Sequence, residues 1–485
     1  MHRSDPNYRA ALAVARTLRD AGHQAFFAGG CVRDLLLGLA PKDYDVATSA
    51  KPSEITRFFA KTRTVGAHFG VVLVCEQVRG EEIQTEVATF RHDGAYSDGR
   101  RPDAVRFSTS PEEDVVRRDF TINGLLLDPI LFEATGDIAA ATLDFVHGRD
   151  DLAAGIVRAI GSPDLRFSED KLRMLRAIRF AARLGFQLDP ATAAAIRDRA
   201  AEIHHVSAER VRDELTRILT GGHADRGFEL LYETGLLAQA LPEVVRLRGV
   251  AQPPEFHPEG DVWIHTMLLL KKLDTLARVP HPSQPLAMPE KYTPAPSAPE
   301  SISPTLAWGA LLHDIGKPAT YQPPNPAIQG DRIRFNGHVE AGVRIAEVIL
   351  DRFRFSNEDT EQILALVKNH MRFGDIRHMK QSTLKRFLRL PRFEEHLALH
   401  WLDASSAHGD LGLYDFARAQ FDAEPPKDLR PAPLLTGAEL IAAGYRPSPQ
   451  FKAMLTLAED AQLEGSIHSM AEALALVRER YPLRL

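Results

Sequence analysis

The spacing of apolar positions changes near residue 165, and that change divides the chain. Before it, short β-branched runs alternate with helical stretches. Residues 8–20 carry apolar side chains at helical spacing and predict an amphipathic helix. QAFFAGG predicts a short strand entering a glycine turn, CVRDLLLG a short helix stopped by Gly38, and YDVAT another strand. VVLVCEQV (71–78) and EEIQTEVATF (81–90) read as strands, the second alternating at Ile83, Thr85 and Val87. Beyond 165 the pattern is helical almost throughout. RFSEDKLRMLRAIRFAARLGF gives the strongest helix, with Ser168 placed to cap it, Glu169 and Asp170 in its first turn, and Gly185 as its stop. The segment 279–304 is proline-rich and aperiodic, a surface insertion or flexible loop. LAWGALLHDIGK resumes the helical pattern, and EPPKDLRPAPL sets off a C-terminal tail of one or two helices. No internal repeat is visible.

Composition narrows the class without naming a function. A chain of 485 residues, 44% hydrophobic and 26% charged, has room for two to four domains with substantial cores. The N-terminus has no uninterrupted apolar core of a signal peptide, and no stretch approaches the ~18 apolar residues of a membrane span. Cys31 and Cys75 alone cannot make a disulfide framework, which fits a reducing cytoplasm. A formal net charge of −6 excludes a protein coated in basic surface but leaves room for a local RNA-binding groove.

The chemistry starts at GGCVRDLLLGLAPKDYDVAT, residues 29–48. Asp43 and Asp45, one residue apart on an extended segment, point their carboxylates to one side, where they repel unless a cation lies between them. Oxygen ligands suit magnesium. Gly29 and Gly30 let the backbone approach a phosphate, with Arg33 beside them. This is the layout of a nucleotidyltransferase, in which two magnesium ions activate a 3′-hydroxyl and steady the leaving pyrophosphate. In RRDFTINGL (117–125), a strand-like run, Arg118 is a triphosphate contact, while Asp119 and Asn123 support the sugar or the loop. Glu169, Asp170 and Arg173 fall on one helix face, with Arg176 at its margin, and Met174, Ile178, Ala181 and Ala182 form the buried face. Ion pairing along a helix accounts for such a face. A carboxylate beside a guanidinium also matches the amino donor and ring-nitrogen acceptor shared by adenine and cytosine, while guanine and uracil present the reverse.

Together these strings resemble the class II tRNA nucleotidyltransferase family, the CCA-adding enzymes and the bacterial poly(A) polymerases. The likeness runs from residue 26 to about 220 through GGCVRDLLLG, KDYDVAT, TFRHDGAYSDGRRPDAVRF, RRDFTING, DFVHGRDDL, EDKLRMLRAIRFAARLGF and SAERVRDELTRIL. It implies an α+β chain: a polymerase-beta-like head over 1–155 and an all-α neck and body over 156–245, followed by further helical domains. It also implies that Gly30, Arg33, Arg118, Asp170, Arg173, Arg176 and Arg179 surround the incoming nucleotide, with Arg176 and Arg179 reaching the phosphates. Two positions depart from the family pattern. Gly124 stands where alanine is usual, and DFVHG has one glycine where two are usual, a change that bears on the hinge between head and neck.

The C-terminal half resembles the HD phosphohydrolases. His265, His313, Asp314 and Asp403 match the signature, and His338 and His370 extend it toward a two-metal site for a divalent transition metal. The resemblance implies an HD domain over 246–420, a helical tail over 421–485, and phosphatase or cyclic phosphodiesterase work on RNA ends. The leading expectation is template-free addition of CCA to the 3′ end of tRNA from CTP and ATP. Alternatives are poly(A) polymerase, addition of A alone, and an HD enzyme whose head only binds RNA. TVGAHFGVVLV resembles the CCA type, no strongly basic tail is present, and DGAYSDGRRP fills the loop that CC-only relatives shorten.

Overall fold

The structure, a computed structural model, describes residues 4–64, 70–78, 81–94, 105–276, 302–423 and 431–483. The proline-rich segment 279–304 and the DGAYSDGRRP loop therefore lie almost wholly outside the described residues. The chain forms two units, one built on Met1–Val245 and one on Arg246–Lys272 with Ile302–Leu485.

The first unit opens with a helix, Pro6–Asp20, started by Pro6 and capped by the Asp5 carboxylate on the Asn7 amide. Its buried stripe of Ala11, Val14, Ala15 and Leu18 covers one face of the head. The strands are β1 (Ala25–Ala28), β2 (Asp45–Thr48), β3 (Thr62–Thr64), β4 (Val71–Val78), β5 (Glu81–Thr89), β6 (Arg91–Asp93), β7 (Val105–Phe107), β8 (Leu125–Leu127) and β9 (Thr142–Asp144). Seven of them form one sheet in the order β3-β4-β5-β2-β1-β8-β9, and β6 and β7 make a separate ribbon. Neighbours in the sheet are antiparallel except β2 and β5, which run parallel with Val46 opposite Val87. That one parallel pair matters, because it sets Glu86 beside Asp45. The strand expected through RRDFTINGL is shorter than its apolar run suggests. Thr121–Asn123 is a 3₁₀ turn, and the strand begins only at Leu125.

The long helix expected from residue 168 is two helices, Pro163–Glu169 and Leu172–Leu184. Ser168 does not cap it; its hydroxyl donates back to the Leu165 carbonyl inside the first helix. Asp170 is extended and its carboxylate accepts from the Leu172 amide, so Asp170 starts the second helix. Gly185, at φ 69°, ends it as expected.

The departure at DFVHG has a structural account. The Asp144 carboxylate collects the amides of Val146, Gly148 and Arg149 at 2.9–3.0 Å and so builds the turn. His147 takes a left-handed backbone there, φ 59°, where a second glycine would fit without strain. Gly148 cannot be replaced as easily, since a Cβ would stand 2.2 Å from the Thr121 carbonyl oxygen. At Gly124, a Cβ would meet Val146 at 2.8 Å, with Ile160 and Val115 just beyond, so these side chains fill the space an alanine methyl would take.

The second unit is helical. Trp308, Leu311, Ile349, Leu350, Ile363, Leu366 and Phe373 are among its fully buried side chains. Gly316 sits so close to the start of the helix His338–Arg352 that a Cβ would lie 2.0 Å from the His338 carbonyl oxygen. That contact brings the HDIG turn and His338 together. The tail holds three helices among the described residues, not one or two: Gly437–Ala442, Gln450–Leu463 and Met470–Arg480. The shortest was hidden by its length and is secured by a Thr436–Glu439 capping box. Leu440, Tyr445, Met454, Ala458 and Val477 give the tail its own apolar cluster.

Gly148→Ala is expected to destabilise the chain by more than about 3 kcal/mol, the scale of strained or overpacked sites. His147→Gly should stabilise it by up to about 1 kcal/mol, since relief of the left-handed cost exceeds the added chain entropy. Thermal melting of both variants checks the pair; equal behaviour would show that the turn is not built as described.

Candidate functional site

Asp45 opens β2 opposite Ala28, the last residue before the glycine turn. Asp43 lies two residues earlier on the loop, exposed. Glu86, on the solvent side of β5 between buried Thr85 and Val87, is the third carboxylate of the group. Burial against the sheet pushes the Asp45 carboxyl up to about 6, with Glu86 and Asp43 adding repulsion and Arg118 opposing it. Glu86 is also raised, by burial first, with Arg118 lowering it and Asp43 raising it. Three carboxylates thus converge with one guanidinium nearby. Sequence reasoning missed Glu86; it is one of several polar positions on an alternating strand, and only the β2–β5 register singles it out.

Arg118 stands over the glycine turn, its Nη1 3.1 Å from where a Gly29 Cβ would be, and Gly29 has φ 73°. Its Nη2 donates to Asp114 at 2.9 Å, while Nε is buried without a hydrogen-bond partner. Nη1 is thus the part of the guanidinium that stands at the glycine turn. Arg33 is placed differently. It is 3% exposed, grips Asp34 through Nε and Nη2, and donates from Nη1 to Asn123 Oδ1 at 2.7 Å. Asn123 in turn donates to Asp119 Oδ1, and Asp119 Oδ2 accepts from Arg176 Nε at 2.8 Å and from its Nη2. Burial would raise the Asp119 carboxyl, but Arg176 outweighs it and holds the group down to about 2. Asp34, Arg33, Asn123, Asp119 and Arg176 therefore form one ladder beneath the turn.

The other neck residues are near one another but not paired as the helix face suggested. Arg173 bonds Glu169 and the carbonyls of Arg166 and Arg117, while Asp170 accepts from Arg210 at 2.8 Å. The helix break at Asp170 is the reason, since it turns that carboxylate away from the helix face. Arg179 donates to the buried Glu214 and lies over Phe180, which also faces Arg33 and Arg176. Arg210 and Glu214, in SAERVRDELTRIL, carry roles that the sequence showed only as part of a matched string.

In the second unit six expected residues come together. His313 and His370 end the helices Pro304–Leu312 and Asn357–Asn369 and lend their Nδ1 hydrogens to the carbonyls of Ala310 and Val367 at 2.9 and 2.7 Å. His338 does the same to Phe335 at 2.9 Å. Each ring is thereby left with a bare Nε2. The Nε2 atoms of His338 and His370 are 3.4 Å apart, and Asp314 Oδ1 lies 3.9 and 3.7 Å from them. His265 Nε2 is 3.1 Å from Asp403 Oδ1, and His313 Nε2, buried with no hydrogen bond, is 3.2 Å from Asp314 Oδ2. Burial holds His370 down to about 4, a neutral donor near neutral pH. Two donor sets result, His265–His313–Asp403 and Asp314–His338–His370, a chemistry that fits divalent transition-metal ions. Lys317, buried, bonds Asp314 and Gln252 at 2.6 Å each.

Comparison with known proteins agrees with this geometry. Residues 25–158 match the poly A polymerase head domain, 185–247 the probable RNA and SrmB-binding site of polymerase A, and 285–404 the HD domain. A CCA-adding enzyme of Lacticaseibacillus paracasei is 44% identical over 237 residues, 49% of this chain and 56% of its own length. One from a Geobacillus species is 44% identical over 229 residues, 47% and 54% of the two chains. The chain thus spans little more than half the length of these curated relatives. The crystal structure of the Bacillus stearothermophilus CCA-adding enzyme in complex with CTP superposes with a TM-score of 0.68 at 26% identity, covering 98% of both chains. The Thermotoga maritima CCA-adding enzyme complexed with tRNA_CCA shares the fold at 16% identity, with a TM-score of 0.53 over 97% and 95% of the chains. A poly A polymerase head domain, its probable RNA-binding region and an HD domain thus follow one another in this order, and over that span the chain is similar to the CCA-adding enzymes.

Proposed function

We propose that the chain adds C, C and A to the 3′ end of tRNA, taking CTP and ATP without a template. The observation that carries this is the convergence of Asp43, Asp45 and Glu86 beside Arg118 and the Gly29 turn. Three carboxylates against one guanidinium leave about two negative charges to be balanced, which suits divalent cations held by oxygen. We assign them as two Mg²⁺ ions on Asp43 and Asp45, with Glu86 as the added acid. When bound, such ions neutralise the triphosphate and favour attack by the 3′-hydroxyl. The chain's own residues do the placing. Gly29 and Gly30 admit the triphosphate backbone-close, and Arg118, whose Nη1 stands over that turn, offers it a guanidinium. The buried ladder of Arg33, Asn123 and Asp119 keeps that turn rigid and aims Arg176 from the neck.

Base choice falls to Asp170 and Arg173. One is an acceptor and the other a donor, the two kinds of group that the pairing edges of C and A share, and each is fixed by its own partner, Arg210 and Glu169. Basic residues of the neck and body follow the acceptor-stem phosphates by shape, as A-form RNA requires. No helix among the described residues is long and apolar enough to cross a membrane, and we place the work in the cytoplasm, where its substrates are. The HD centre supplies a second activity, phosphohydrolysis of RNA ends, on His265, His313, Asp314 and Asp403 with His338 and His370.

A tRNA lacking CCA is expected to grow by CC with CTP alone and by CCA with both nucleotides and Mg²⁺. Long A tails on any RNA would mean a poly(A) polymerase, and extension only of tRNA ending in CC an A-adding enzyme. Asp43→Ala and Asp45→Ala should abolish growth, and Glu86→Gln should slow it about 10²–10³-fold. Undiminished growth with Glu86→Gln would remove Glu86 from the site. Asp170→Ala should let GTP and UTP compete while leaving the metal requirement intact, as read by nucleotide incorporation ratios. His313→Ala should leave extension unchanged and abolish release of phosphate from a 2′,3′-cyclic or 3′-phosphorylated RNA end.

A further inference from the structure

Of the four histidines at the HD centre, three fix their tautomer on a backbone carbonyl, and His265 does not. Its Nδ1 lies 2.7 Å from Glu259 Oε1, and the ring is wholly buried. We propose that Glu259 is the positioning residue of this metal site, a carboxylate that takes the His265 Nδ1 hydrogen and so presents Nε2 as a bare donor toward Asp403 and His313. The inference rests on the metal reading of the HD centre given above.

Glu259 is built in for such a task. Its side chain is 7% exposed, and its second oxygen, Oε2, is buried with no hydrogen-bond partner. A buried carboxylate left half unpaired is costly and persists only where a strong partner holds it. The partners here are two imidazoles on one oxygen: His265, and His257 Nδ1 at 2.8 Å. The loop that carries Glu259 is itself anchored. Asp261 accepts from the amides of Ile264 at 2.8 Å and Gly249 at 2.7 Å, and so fixes the start of the helix Val262–Leu276 that bears His265. Gln252 ties Lys317 to the same stretch, and Lys317 holds Asp314. A metal-bound imidazole whose far nitrogen meets a carboxylate is a better donor, and loss of that carboxylate usually weakens metal binding.

His257, Glu259 and His265 also bring donor atoms close enough to hold an ion directly. Sharing a single oxygen at 2.7 and 2.8 Å, they are arranged as hydrogen-bonded partners, and direct ligation is the competing outcome.

The test is Co²⁺ binding to the full chain, measured by chelator competition and by the visible spectrum of the bound ion. Glu259→Ala is expected to weaken binding about 10–100-fold and to shift the Co²⁺ bands. Glu259→Gln, which keeps an acceptor oxygen without its charge, should recover part of the affinity. Thermal melting and nucleotide addition by the head, which uses none of these side chains, report that each variant is folded. Affinity and spectrum unchanged in Glu259→Ala, while His313→Ala loses the ion, would overturn the proposal and leave the metal site standing. Loss of one whole equivalent of Co²⁺ with the remainder bound as before would make Glu259 a ligand, and overturn it too. No Co²⁺ bound by the unaltered chain would remove the metal reading beneath it.

Discussion

The buried ladder from Asp34 through Arg33, Asn123 and Asp119 to Arg176 is the interaction on which the first unit's chemistry depends. It holds two carboxylates and the Arg33 guanidinium out of water, with Arg176 half-buried at its end, and each buried charge is tolerable only because the next one pairs it. The ladder therefore behaves as a unit. It ties the glycine turn to the 3₁₀ turn Thr121–Asn123, and both to the helix Leu172–Leu184, with no apolar contact able to substitute for its direction. Because it is neutral within itself, it adds rigidity without drawing on the positive charge beside the glycine turn. That charge stays with Arg117 and Arg118, two guanidiniums sharing the single carboxylate of Asp114.

This division of labour changes how the arginines of the neck should be understood. A sequence reader sees Arg173, Arg176 and Arg179 at three-residue intervals and sends all of them toward the nucleotide. Each already has a carboxylate: Glu169, Asp119 and Glu214 respectively. Such pairs position a side chain as firmly as they neutralise it. An arginine held on Asp119 can offer its remaining N–H to a phosphate without searching for its place, so part of the ordering cost is met before the ligand arrives.

Much of this was legible beforehand, and the failures share a cause. The strands at 71–78 and 81–89 and the stop at Gly185 follow from local periodicity and left-handed glycine chemistry, so the sequence displays them. Asp43 and Asp45 are visible because alternate residues of an extended segment face the same side, although the strand itself begins only at Asp45. Glu86 is invisible for the complementary reason: its partnership with Asp45 is set by strand register, a contact between segments some 40 residues apart. The break at Asp170 also escaped notice. Ser168 and Asp170 are both good capping residues, and only the bond from the Leu172 amide decides between them. The tail's third helix was lost to its six-residue length.

The two candidate centres solve one electrostatic problem in opposite ways. In the first, hard carboxylate oxygens gather against the sheet, and burial together with the charges of Glu86 and Asp43 pushes Asp45 up to about 6, a cost that cations relieve. In the second, imidazoles are gathered around two carboxylates, and the difficulty is instead to keep the right nitrogen bare. The helix ends answer it for His313 and His370. A terminal carbonyl that lacks an amide partner takes the Nδ1 hydrogen, so the feature that stops the helix also selects the tautomer. His265 lies inside the first turn of its helix, where no terminal carbonyl is within reach. It needs a side chain for the same purpose. Asp403 and Glu259, outweighing its burial, raise it to about 9, so that without an ion the ring holds both its protons. A cation held at Nε2 would have to displace a proton there, while Glu259 would keep the other on Nδ1. On the reading of Glu259 given above, metal affinity at this ring would depend on that carboxylate, whereas at His370, held down to about 4 by burial, the donor is already bare.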